Sequence, residues 1–186
     1  MKSMIKNVLV SAFERKHVLD YINRKKNLNP AFKVIDIGGF SDYTNWSYPV
    51  VDYIVNFDKC EIPGKEVFVF NLNFESQWSE ILNFVDQNGK FDFCICSHTL
   101  EDLALPSVAL QKIPQIAKEG FIATPSKFRE LSRVGDQSWL GYIHHRWIFT
   151  FKDGIYLALP KLNFIERTPQ FGRIGNSAEE ISDLSF

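Results

Sequence analysis

Residues 33–40 read Lys33-Val34-Ile35-Asp36-Ile37-Gly38-Gly39-Phe40, an apolar run carrying one carboxylate and stopped by two glycines. A run this short, ended by a glycine turn, suits the buried first strand of an open α/β sheet. Glycine there lets the backbone turn sharply and approach a ligand with no Cβ in the way. In such sheets ligands settle outside the carboxyl ends of the strands, where strand order reverses. The remainder of the chain is then expected to supply parallel strands alternating with helices.

Working outward, Ser11 to Lys26 places Val18, Tyr21 and Ile22 at helical spacing, with Arg15, Lys16, Arg24 and Lys25 on a polar side. Downstream, Ser41 to Trp46 is a polar, aromatic loop, and Val50 to Phe57 is a second strand ending at Asp58. Glu61 to Lys65 is a turn, and Val67 to Phe70 a third strand ending at Asn71. Glu75 to Gln87 carries Trp78, Ile81, Leu82 and Val85 at helical spacing, and Asn88-Gly89 closes it. Phe91 to Cys96 is a nearly all-apolar, central fourth strand. Ser107 to Lys118 is a helix broken or kinked at Pro114, Glu119-Gly120 a turn, and Phe121 to Thr124 a fifth strand. Strands separated by helices imply right-handed crossovers and a mostly parallel, Rossmann-like sheet with helices on both faces. The tail differs: Arg146 to Phe151 and Ile155 to Leu159, joined through Asp153-Gly154, form an antiparallel hairpin.

At 186 residues the chain is expected to be one domain, with 45% hydrophobic and 23% charged residues as in ordinary soluble proteins. Within it we expect a core over 32–126, a substrate loop and hairpin over 127–170, and a polar tail over 171–186. A formal net charge of -1 gives no electrostatic case for nucleic acid or an anionic membrane. No apolar run approaches the roughly 20 residues of a membrane span. The three cysteines, Cys60, Cys94 and Cys96, read as free thiols of a cytoplasmic protein. Cys94 and Cys96 are neighbours along one strand, poorly placed to bond each other.

Two segments resemble the class I S-adenosylmethionine-dependent methyltransferases. One is Val34-Ile35-Asp36-Ile37-Gly38-Gly39. The other is Gly89 to Leu103 followed by Ile113 to Ser126, where the family often has a Phe-Asp strand, a Leu-Glu-His, a helix, and a strand ending in Pro-Ser. The resemblance spans Phe32 to Ser126. It implies S-adenosylmethionine as cofactor, with Gly38 and Gly39 beside its methionine part and Asp36 near its ammonium. It places Asp58 at the ribose hydroxyls, Asn71 and Leu72 beside adenine, and Ser97 and His98 against the methionine side and the substrate. The family's glycine pattern is acid-x-Gly-x-Gly-x-Gly; here Phe40 and Asp42 take the second and third glycine places, and Phe40 joins the expected cofactor contacts. Asp102 stands where the family often has His.

An activated methyl group needs mainly proximity and in-line alignment, though an oxygen or nitrogen nucleophile also calls for a base. His98 is the first candidate, or else it hydrogen-bonds backbone in its loop. His144 and His145 are the alternatives, within Gly141-Tyr142-Ile143-His144-His145-Arg146-Trp147. There Arg146, Tyr142 and Trp147 would recognise substrate, the guanidinium clamping a carboxylate or phosphate. No Cys/His/Asp spacing completes a metal site. Glu101-Asp102 read as acids at a helix start, where the dipole favours them, or as catalytic carboxylates. The expected activity is methyl transfer to a small-molecule or sugar-like acceptor. The alternative is a methyltransferase-like binding or assembly module without catalysis.

Overall fold

The computed structural model describes residues 11–39, 45–133, 138–153 and 155–168. Two compact units emerge, one over Arg15–Ala123 and a second that includes residues 124–168. The first holds most of α1 (Ser11–Leu28), then β1 (Val34–Ile37), β2 (Tyr53–Asn56), β3 (Glu66–Val69), a 3-10 turn (Glu75–Trp78), α2 (Ser79–Asn88), β4 (Phe91–Ser97), α3 (Pro106–Ile116) and β5 (Ala117–Ala123). The strands form one sheet in the order β3-β2-β1-β4-β5, and every pairing is parallel. This is the α/β, Rossmann-like architecture expected from the sequence.

Alternation along the strands sends side chains to two faces, and each face is covered by helix. Val34, Ile54, Phe93 and Ile95 pack with Val18 and Ile22 of α1. Tyr53, on the other face, forms an aromatic cluster with Phe84 of α2 and Phe91, ring centroids 4.9–5.6 Å apart. The N–H groups of Asp92 and Phe93 both donate to Lys33 O, a bulge that breaks the alternation and lets Phe91 join this cluster. Parallel register puts Asp36 opposite Ile54 and Ile95, hence on the α1 face.

Several boundaries differ from expectation, each for a physical reason. Val50 and Val51 are buried, but their N–H groups bond Ser47 O in a turn, so β2 begins only at Tyr53 and ends at Asn56. Their apolar character reports burial, not extension. Glu119-Gly120 is not a turn: both residues lie inside β5, which starts directly after α3. A Cβ on Gly120 would meet Cys94 O at 2.6 Å, so this glycine serves close approach between paired strands. Pro114 does not interrupt α3, which runs on through it to Ile116. Gly89 closes α2 as expected, its N–H bonding Val85 O at 2.8 Å.

The connection from β1 to β2 shows only turns over residues 45–50, so α1, upstream of β1, supplies the helical cover on that side.

The second unit contains α4 (Lys127–Glu130), β6 (Trp147–Lys152), β7 (Ile155–Pro160) and α5 (Asn163–Arg167). β6 and β7 pair antiparallel with Lys152 opposite Ile155; Gly154 lies outside the described residues. Asp153, directly after β6, takes a positive φ of 52°, the region that tight hairpin connections use. Among the described residues no helix is long and apolar enough to cross a membrane.

Candidate functional site

Strand order reverses between β1 and β4, and a cleft of about 260 Å³ lies at their carboxyl ends. Asp36, Gly38 and Gly39 come from β1 and its turn, Ser97 and His98 from β4, Arg15 from α1, and Asn45 and Trp46 from the loop before β2. Five of these are expected site residues brought together by the fold: Asp36, Gly38, Gly39, Ser97 and His98. Arg15, Asn45 and Trp46 join them without a site signal in the sequence. In the sequence Arg15 is one more cation on a polar helix face, and the placement of α1 over β1 brings it to the cleft.

The turn is shaped by what surrounds it. Gly38 has φ of +78°, its N–H bonds Val55 O at 2.9 Å, and a Cβ there would strike the Thr99 side chain at 2.4 Å. Thr99 is itself fixed, its Oγ1 donating to Ile37 O at 3.2 Å. A Cβ on Gly39 would meet the Asp36 carboxyl carbon at 2.7 Å. The two glycines therefore leave room for one carboxylate and for the β4 turn.

Asp36 is only 4% exposed, and its Oδ2 accepts a 2.5 Å hydrogen bond from Ser47 Oγ. Burial pushes its carboxyl up to about 6, against the opposing pull of the Ser47 hydroxyl. Arg15 lines the same cleft with its guanidinium 5.6 Å from the centre of the Trp46 ring. One cation and one acid at opposite sequence positions thus share a small recess.

Past β4 the backbone is under strain. His98 adopts φ of 55°, rare for a residue with a side chain, and is held there by its N–H bond to Ala123 O at 2.9 Å. Glu101 is fully buried and its Oε1 lies 3.3 Å from His98 Nδ1. That is ion-pair distance without hydrogen-bond alignment: among the described residues neither Glu101 oxygen, nor the buried Ser97 Oγ, has a hydrogen-bond partner. The capping reading of Glu101-Asp102 is corrected, because α3 starts at Pro106 and the Leu105 N–H is served by Asn73 Oδ1 at 2.9 Å. Glu101 is instead sealed in the turn below His98.

Other expected contacts lie outside this cleft's lining. Asp58 is exposed, two residues beyond β2, its N–H bonding Asn56 Oδ1. Asn56 is the strand-end residue that reaches the glycine turn, its Nδ2 donating to Gly39 O at 3.3 Å. Asn71 Oδ1 caps its own turn by accepting from Asn73 N and Nδ2, and Leu72 is buried with its carbonyl bonded by Trp78 Nε1. Phe40 lies outside the described residues, as do Asp42 and the tail over 171–186.

In the second unit His145 is buried, with Nδ1 2.6 Å from Glu130 Oε1. Lys161, also buried, donates to Glu130 Oε2 at 2.8 Å and Tyr142 O at 2.6 Å, and lies 3.4 Å from Glu166 Oε1. Burial pushes the Glu130 carboxyl up, but the bonds from His145 and Lys161 outweigh it and hold it below the ordinary glutamate range. Arg129 donates to Tyr142 Oη through Nε and Nη2, at 3.3 and 3.1 Å. The fold thus brings Tyr142, His144 and His145 together, the two imidazoles 4.4 Å apart. Arg146 is exposed, and Trp147 opens β6, half-buried. Glu130, Lys161 and Glu166 escaped sequence reading; a lone lysine between Pro160 and Leu162 was the available signal.

No protein-family model matches this chain, and no curated protein or solved structure matches it significantly.

Proposed function

We propose that the cleft at the β1–β4 switch point binds S-adenosylmethionine and that the protein transfers its methyl group to a small-molecule or sugar-like acceptor. One observation carries this reading. The carboxyl ends of the two strands flanking the order reversal converge on a recess holding both an acid and a guanidinium. Asp36 suits an ammonium and Arg15 a carboxylate, the two charges of an amino-acid end. The recess is smaller than a whole-nucleoside pocket, so it accounts for the methionine portion only. When bound, the cofactor supplies a methyl group already activated on sulfonium. The chain's own residues orient it: the glycine turn admits it, Arg15 and Asp36 hold its end, and His98 lines the same recess for an incoming acceptor. Free Cys60, Cys94 and Cys96 accord with a cytoplasmic setting.

Isothermal titration with S-adenosylmethionine and its demethylated product tests this. Binding is expected, weakened about 10–100-fold in Arg15→Ala or Asp36→Ala, the size of a lost hydrogen bond to a charged group. No heat at millimolar cofactor overturns the reading. The rival, a binding or assembly module without catalysis, draws on Asp58, which stands exposed beyond the strand end where a ribose contact was expected. Cofactor binding with no turnover on any acceptor would favour it.

A further inference from the structure

We propose that Glu101 is the positioning carboxylate of a His98–Glu101 dyad, holding the imidazole by Nδ1–H so that Nε2 serves the cleft as proton acceptor. The inference rests on the cleft being a reaction site and adds to it a residue that never touches the ligand. Three observations support it. Glu101 is fully buried, yet neither of its oxygens accepts a hydrogen bond from any described residue. Native proteins rarely leave a buried carboxylate in that condition. An imidazole stands at ion-pair distance from it, His98 Nδ1 lying 3.3 Å from Oε1. His98 is itself kept in a left-handed backbone conformation, pinned by β5 through the Ala123 carbonyl. Strain of this kind persists where the surroundings enforce it, and here it holds the ring between the buried acid and the cleft.

The turn is built to keep that spacing. Asp102 N–H bonds Thr99 O and Leu103 N–H bonds Leu100 O, so residues 98 and 101 stay three apart on a closed turn. A slight rotation of the ring completes the Nδ1–H bond to Glu101. In a neutral imidazole that assigns the proton to Nδ1 and leaves Nε2 with its lone pair. A proton taken from an acceptor's O–H or N–H by Nε2 then yields an imidazolium whose charge the Glu101 carboxylate balances. A purely structural role would look different: Glu130, equally buried, has both oxygens occupied.

Nitrogen-15 NMR of the histidine side chains at alkaline pH, where imidazole is neutral, tests this without any cofactor. Wild-type His98 is expected as the Nδ1–H tautomer. In Glu101→Met, which removes the acceptor and keeps the volume, the population should revert to a majority of Nε2–H. Glu101→Gln, whose carbonyl still accepts, should retain Nδ1–H. Wild-type His98 in the Nε2–H form overturns the proposal, and so does a tautomer unchanged in Glu101→Met. If Glu101→Met fails to fold, the wild-type spectrum alone decides. Absence of S-adenosylmethionine binding would remove the functional reading while leaving this measurement's outcome separate.

Discussion

The chain buries ionisable groups in two places and treats them in opposite ways. In the hairpin-bearing unit, Glu130 accepts from His145 and Lys161, while Lys161 also serves the Tyr142 carbonyl and approaches Glu166. At the carboxyl edge of the parallel sheet, among the described residues, Asp36 has a single hydroxyl partner and Glu101 has no hydrogen bond. Burial of charge is costly unless it is compensated, so the first cluster reads as architecture. The second leaves its acids with few partners beside a cleft, and that contrast is what the proposed ligand site rests on.

The contrast can be broken by mutation, and the largest effect belongs to the satisfied cluster. Lys161→Met strips Glu130 and Glu166 of their shared cation and is expected to destabilise that unit by about 3–5 kcal/mol. Hydrogen exchange of the β6 and β7 amides checks it. Full protection in the variant would mean the cluster holds nothing together. Next comes Gly38→Ala, where left-handed backbone and a collision with the fixed Thr99 side chain combine to cost about 2–4 kcal/mol in denaturant melts.

Asp36→Asn reverses the sign. The native state keeps the Asp36 proton up to about pH 6, whereas an unfolded chain releases it near 3.8. The ionised group therefore weakens folding at every pH above about 6, and this penalty fades as pH falls through that range and is gone below 3.8. The amide variant should be more stable at pH 8 by about 2–3 kcal/mol, with no gain near pH 3. Equal stability at pH 8 would show Asp36 to be better served than its single hydroxyl partner suggests. The smallest effect is expected outside both regions. Lys26, 2.7 Å from the part-exposed Asp52, should cost under about 1 kcal/mol on replacement by Met.

The fold was legible because β1 (four residues) and β4 (seven) are mostly apolar and are bounded by glycine, polar turns and helical periodicity. What sequence could not show was the neighbour across a sheet. Glu119-Gly120 has the composition of a turn, yet the strand needs a missing Cβ there because Cys94 O lies alongside. Val50 and Val51 have the composition of a strand, yet they fill the core from a turn. The site was half legible. Asp36, the glycines, Ser97 and His98 sit at strand ends, which a linear pattern marks. Arg15 reaches the cleft from a helix that precedes the first strand, and Glu101 beside Asp102 resembles an ordinary pair of surface acids. Nothing in one dimension distinguishes the sealed member of that pair from the exposed one.

The strand order has a bearing on synthesis. β1 leaves the ribosome with all four residues destined for the interior, and one of its two edges belongs to β4, which begins more than fifty residues later. Until Phe91 and its successors emerge, that edge offers open backbone beside Val34 and Ile35, a template for stray pairing. Chains terminated before β4 should therefore precipitate or be degraded, while the complete chain hides the seam in the middle of the sheet.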